Sequence, residues 1–136
     1  MEFEKWERVV PEDFRNDPLW RMEAYRLAAF ACDAGFQDAR ALWRDPITRP
    51  LADQLYRALG SVAANLEEGY SRSSGRDRAK HFEYALGSAR ESRGWYWRGR
   101  FVLGEDVMPA RLSTQTSIIR ILLAALPAER QRVIGR

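Results

Sequence analysis

The apolar positions of this chain recur at helical spacing in four separate runs. Trp20, Ala24, Leu27, Ala28 and Ala31 form the first, the stripe that a helix turns toward a core. Asp17-Pro18 opens it, with Asp as N-cap and Pro at the first helical position. Gly35 is its expected stop, and "QDARALWRD" predicts a further helical turn before Pro46. Thr48-Arg49-Pro50 opens the next helix by the same logic. Leu51, Leu55, Leu59, Val62 and Leu66 then follow at steps of 4, 4, 3 and 4. Gly69 fits the C′ position that ends that helix. Ser74 restarts the chain, with Asp77 three residues on as a variant of the capping box. Phe82, Ala85, Ala89, Tyr96 and Leu103 carry the third core face, and Gly104 stops it. Glu105-Asp106 and Pro109 begin the fourth helix. Its buried side is Leu112, Ile118, Ile119, Leu122, Leu123 and Leu126, with Pro127 beyond it.

No stretch alternates apolar with polar residues, and no Asn-Gly hairpin occurs, so strands are not expected. No repeat recurs at a fixed period. Four helices with short connections predict an all-α protein, an antiparallel up-down four-helix bundle. Residues 1–136 read as one domain, with the bundle over 18–126. Residues 1–17 read as an irregular N-terminal arm that lays Phe3, Trp6 and Phe14 on the body. Residues 127–136 read as a frayed basic tail.

A chain of 136 residues that is 46% hydrophobic can bury one core. Its one cysteine, Cys32, cannot form an internal disulfide and reads as a small buried residue. No apolar run approaches the ~18 residues of a membrane span. "MEFEKWERVV" lacks the apolar segment of a secretory signal, so a soluble cytoplasmic protein without membrane contact is expected. The net charge of +3 is unevenly placed. Up to Glu68 there are 9 basic and 13 acidic residues; from Gly69 onward there are 13 basic and 6 acidic. The asymmetry points to an anionic partner for the second half, or to oppositely charged surfaces meeting between subunits. All basic residues but Lys5 and Lys80 are arginine. Arginine forks onto phosphate and stacks on bases, although base composition of the gene gives the same bias.

Catalytic chemistry finds little support. A di-iron bundle needs a Glu-x-x-His pair on each of two helices. The single histidine, His81, has Arg78 three residues before it, so no metal site and no cofactor are expected. Cys32 and His81 lie on different helices without a nucleophile signature. "GYSRSSG" lacks the Lys-Ser/Thr end of a phosphate-binding loop. "NLEEGY" remains. Asn65 and Glu68 share a helix face, and Ser61 lies one turn earlier. They could line a polar pocket. The plainer reading is a hydrogen-bond junction of Asn65, Glu68, Gly69 and Tyr70 that ties one helix end to the next. Glu68, near a negative helix end, needs a basic neighbour such as Arg72, Arg76 or Arg78. No catalytic residue is assigned.

A second constellation is "RESRGWYWRGRF", Arg90 to Phe101. On a helix, Arg90, Arg93, Trp97 and Arg100 share a face. Arginine beside exposed aromatics suits nucleic acid. It also suits a subunit interface through Trp95 and Trp97. Gly94 and Gly99 each cost about 1 kcal/mol inside a helix, which suggests close approach of another backbone.

The segment "LADQLYRALGSVAANLEEGYSRSSGRDRAKHFEYALGSARES", Leu51 to Ser92, resembles the proteins encoded in 23S rRNA intervening sequences, a four-helix-bundle family. Asn65, Glu68, Gly69 and Tyr70 match the family's helix ending in Asn-Ile-Ala-Glu-Gly-Tyr. Phe82, Tyr84, Ala85, Leu86, Gly87, Ser88 and Glu91 match its second block. "LWRMEAYRLAAF" is similar to the family's first helix. Two departures are Ala63-Ala64 where many members have Ile-Pro, and Glu67 where Ala precedes the Glu; Glu67 is expected to be exposed. The resemblance implies a four-helix bundle, homo-oligomers that are often pentamers, and no established enzymatic activity. Relatives include the accessory variability protein of diversity-generating retroelements, a basic pentameric bundle that binds nucleic acid and a reverse transcriptase. The expectation is a non-catalytic homo-oligomer that binds RNA or a ribonucleoprotein. Arg72, Arg76, Arg78 and Lys80 are the first candidates for phosphate contact, and Arg90, Arg93 and Arg100 the next. The alternative is an accessory module for a nucleic-acid enzyme such as a reverse transcriptase.

Overall fold

A computed structural model describes residues 2–132. Among the described residues the chain is all helical, 85% helix with the 3-10 turn included, and no strand occurs. Within those residues seven α-helices follow in order: α1 (Phe3–Val9), α2 (Glu12–Arg15), α3 (Glu23–Arg44), α4 (Arg49–Tyr70), α5 (Gly75–Arg98), α6 (Arg100–Leu103) and α7 (Met108–Gln131). A 3-10 turn, Pro18–Arg21, precedes α3, and the Asp17 side chain caps it by accepting from the Leu19 amide.

The four long helices pack in a ring: α3 on α4, α4 on α5, α5 on α7, and α3 on α7. Two apolar clusters fill it. One holds Tyr25, Leu66, Phe82, Ile118 and Leu122; the other holds Leu42, Leu55, Leu59 and Tyr96. Each fully buried aliphatic or aromatic side chain contributes about 1.5–3 kcal/mol, which sets the four expected stripes inward. Leu123 departs from its stripe and is exposed. On α7 it sits one residue past Leu122, about 100° round the helix and away from the ring.

Where helices end differs from the sequence pattern in three places. Gly35 does not stop α3, which runs on to Arg44 and absorbs "QDARALWRD". A Cβ there would meet the Leu59 side chain, so this glycine lets α4 come close. Gly69 is helical too, and α4 ends one residue later. Its missing Cβ leaves room for the Phe82 ring, which a Cβ would approach to 2.7 Å. The only positive φ among the described residues is at Gly104, +83°, where the chain turns toward α7. Pro127, the expected end of the fourth helix, is passed by α7. The turn beyond it is held by ion pairs: Glu129 to Arg78, and Arg130 to Glu83. Of the expected frayed tail, 127–131 is therefore helix, and 133–136 lie outside the described residues.

The N-terminal arm is not irregular. It forms α1 and α2, helices of 7 and 4 residues. Helices this short are unstable alone, and tertiary contact supplies what propensity does not. Trp6 is buried, with its ring edge-on to Phe30 at 5.4 Å, and Phe3 meets the same ring at 5.4 Å. Phe14 stays exposed.

A buried polar knot joins three helices. Asp38 on α3 accepts from the Tyr96 hydroxyl of α5 at 2.8 Å and from Arg111 Nε of α7 at 2.6 Å. Burial, then the Asp38 charge and hydrogen bond, push the Tyr96 pKa well above the ordinary tyrosine range. The folded chain thus keeps the Tyr96 proton at pH values where the unfolded chain, near 10, releases it. The contribution of Tyr96 to stability should be flat across pH 7–9 and should fall above about pH 10, by up to about 1.4 kcal/mol per pH unit. Urea unfolding at pH 9, 10 and 11 measures this. Tyr96→Phe should make the alkaline limb shallower without abolishing it, since the Tyr25 hydroxyl and Cys32 thiol are raised by burial too, and an unchanged slope would assign the loss to those groups.

Candidate functional site

The turn between α4 and α5 carries the polar cluster and the first basic residues. Ser74 caps α5 by accepting from the Asp77 amide at 3.1 Å. Asn65 Nδ2 donates to the Ser61 carbonyl at 2.9 Å and to Ser61 Oγ at 3.0 Å, and Ser88 Oγ donates to Ser61 Oγ at 2.8 Å. This chain of bonds ties α4 to α5. Glu68 is exposed and pairs with Arg72 one turn on, at 3.0 Å. The two halves of the "NLEEGY" cluster are thus separate: Asn65 bonds to Ser61, which meets Ser88 of α5, and Glu68 faces solvent.

The basic residues divide just as sharply. Arg76 and Lys80 are exposed on α5. With Asp77, Glu83 and Arg130 they line an open groove of about 780 Å³. Arg78 lies among them in sequence but is 5% exposed. Its Nε donates to Glu129 at 2.9 Å and its Nη1 to the Tyr70 carbonyl at 2.7 Å. Its guanidinium stacks over Tyr70 at 5.0 Å and Phe82 at 5.6 Å. The expectation of a phosphate contact at Arg78 is therefore corrected. A helix leaves its last carbonyls unpaired, and Arg78 supplies a donor to one of them. The interval explains the split: from Arg76 to Lys80 the helix turns about 400°, with Arg78 half a turn from either.

At the other end of α5, Arg90 is exposed, and Arg93 is half-buried and donates to Thr116 Oγ1 at 3.3 Å. Half-buried Trp95 donates its indole N–H to Glu91 at 2.9 Å, with the Arg98 guanidinium over the ring. Trp97 and Phe101 are 53% and 84% exposed. The Arg100 guanidinium lies 4.0 Å from the first ring centroid and 4.3 Å from the second. α5 breaks at Gly99, so Arg100 belongs to α6 and reaches back one turn to Trp97. Gly94 and Gly99 do not meet a foreign backbone within this chain. The space at Gly99 is taken by Leu42, and at Gly94 by the Arg98 guanidinium. Among the described residues, no carboxylate ion-pairs with Arg76, Lys80, Arg90, Arg93 or Arg100.

Three features have no counterpart in the sequence reading. Glu67 does not merely point to solvent: it accepts from the Tyr25 hydroxyl at 2.7 Å, linking α4 to α3. The Asp38–Tyr96–Arg111 knot joins residues up to 73 positions apart. An exposed patch of Phe36, Trp43 and Tyr56 lies between α3 and α4, with Arg40 over Phe36 and Arg49 over Trp43. Its signal was present, since all three aromatics fall off the helical core stripes.

Among the described residues, no group of three His, Cys, Asp or Glu side chains is placed to hold a metal ion, and no helix is long and apolar enough to cross a membrane. Ring-packed long helices, an arginine–aromatic surface and a polar α4–α5 junction define a helical protein built around its central helix pair. Over residues 40–100, from the end of α3 to the start of α6, the chain is similar to the 23S rRNA-intervening sequence protein family. The motif blocks of Leu51–Ser92 lie within the match. No curated protein and no solved structure matches the chain.

Proposed function

We propose that this chain is a non-catalytic up-down four-helix bundle that assembles with copies of itself and binds RNA through exposed arginines. The observation that carries this reading is the stack of Arg100 on the exposed rings of Trp97 and Phe101. A base stacked on such a ring gains about 1–3 kcal/mol, and the guanidinium beside it meets phosphate. Arg76, Lys80 and Arg90 are exposed without a carboxylate partner among the described residues, so they extend the positive surface. Antiparallel order is supported by the bonds that join Tyr25 to Glu67, Ser61 to Ser88 and Ser92 to Gln115. Self-assembly is supported by the large exposed apolar side chains, which a second copy would cover.

The test is binding to a structured RNA across a salt series. Affinity should fall steeply with salt, and Arg76→Ala and Lys80→Ala should each lower the log–log slope by about one. Absence of binding at low salt, or binding indifferent to salt, would sink the reading. Light scattering should give a mass several times 15.8 kDa; a monomer would remove the self-assembly part. A second reading, an accessory module for a nucleic-acid enzyme, is favoured by the Phe36–Trp43–Tyr56 patch. A protein captured in a pull-down that survives nuclease would support it over the first.

A further inference from the structure

The N-terminal arm does not lie flush on α3 and α4. With α3 and α4 it lines an open cleft of about 440 Å³, within the size range of small-molecule sites. The walls are aromatic and aliphatic: Trp6, Val10 and Phe14 from the arm, and Trp20 from the 3-10 turn. Ten of the twelve lining residues carry no carboxylate; the other two are Asp33 of α3 and Glu67 of α4. Each carboxylate has one neutral aromatic donor on one oxygen. Trp6 Nε1 donates to Asp33 Oδ2 at 2.7 Å, and the Tyr25 hydroxyl donates to Glu67 Oε2 at 2.7 Å. Neither has a Lys or Arg ion-pair partner among the described residues.

The negative field reaches the neighbouring groups. Burial, then the charges of Asp33 and Glu67, push the Cys32 thiol up to about 11. Burial, then the Glu67 hydrogen bond and charge, also raise the Tyr25 hydroxyl. Asp33 and Glu67 are both exposed at the edge of the cleft, so a cation entering it meets two accessible negative charges beside its apolar walls. Aromatic faces attract cations as well, by about 0.5–2 kcal/mol. The two hydrogen bonds hold the carboxylates in place and leave Oδ1 and Oε1 open.

We infer that the cleft between the arm and α3–α4 is a binding site for a small organic cation, an ammonium group on an apolar body. The apolar body lies against Trp6, Trp20 and Phe14, and the ammonium group sits on the carboxylate side with Asp33 and Glu67. None of these residues belongs to the proposed RNA surface, so either reading can fail alone.

The probe is 2-phenylethylammonium, titrated into the full chain while the indole N–H resonance of Trp6 is followed, assigned with Trp6→Phe. The resonance should shift saturably, with an affinity at least tenfold above that of neutral 2-phenylethanol. The anion 3-phenylpropionate should give no shift. The Asp33→Asn, Glu67→Gln double variant keeps acceptors for Trp6 and Tyr25, and should lower ammonium affinity at least tenfold with an unchanged far-ultraviolet spectrum. Equal affinity for the alcohol, a shift with the anion, or undiminished ammonium binding by the folded double variant overturns the assignment. So does a Trp6 resonance that stays still at millimolar ammonium. The ammonium-against-alcohol comparison needs no variant and decides the matter even if the double variant does not fold.

Discussion

Replacing Arg78 with alanine should destabilise the fold by about 3–5 kcal/mol, the usual loss when one partner of a buried ion pair is removed. Three groups are affected together. The Glu129 carboxylate, 14% exposed at its side chain, keeps only Arg132, at 3.3 Å. The Tyr70 carbonyl at the end of α4 loses its donor. The Tyr70 and Phe82 rings lose the cation stacked between them. Lysine should rescue poorly, because a single ammonium cannot fork toward Glu129 and Tyr70 as the planar guanidinium does. Arg76→Ala, two residues away and exposed, should change stability by less than about 0.5 kcal/mol. Urea unfolding of the two variants checks the contrast. A loss below 1 kcal/mol for Arg78→Ala would mean that this arginine is not a structural clasp. Any loss of RNA affinity by this variant should be compared at a temperature where it is still folded.

Asp38→Ala should cost a similar amount, about 3–5 kcal/mol, for a different reason. The alanine leaves the Tyr96 hydroxyl, on a residue with no exposed surface, without an acceptor. An unpaired buried hydroxyl alone costs about 1–3 kcal/mol. It also strands Arg111, whose guanidinium is held above its ordinary pKa by the Asp38 bond and charge acting against burial. Asp38→Asn should fall between wild type and alanine, since its amide oxygen still accepts from Tyr96 while the ion pair is lost. In a double-mutant cycle, Tyr96→Phe should cost less in the Asp38→Ala background than in the native one. Additive losses would show that the two residues act separately.

The helical class was legible because burial imposes a period. Leu55, Leu59, Val62 and Leu66 are all buried, as their spacing required. The Ser74 cap was legible because a helix start needs a side-chain acceptor within three residues. The stops at Gly35 and Gly69 were misread because glycine serves two purposes. It ends helices through its freedom at positive φ, and it admits a neighbour where a Cβ would collide. Only the packing of Leu59 on Gly35 and Phe82 on Gly69 separates the two. Pro127 was misread in a similar way. A proline disfavours a helix locally, but the bonds of Glu129 and Arg130 to α5 hold the turn beyond it.

By itself, then, the sequence determined four amphipathic helices, their order, the cap at Ser74 and the placement of positive charge after Gly69. These follow from local periodicity and composition, which need no knowledge of what lies opposite. Tertiary structure alone decided which charges are surface and which are clasp. Arg76, Arg78 and Lys80 are chemically alike in the chain. They differ because Glu129, 51 positions beyond Arg78, is brought to one of them and not to the others. It likewise decided that the arm is helical and borders an open cleft, since α1 holds its shape through Phe30 rather than through its own seven residues.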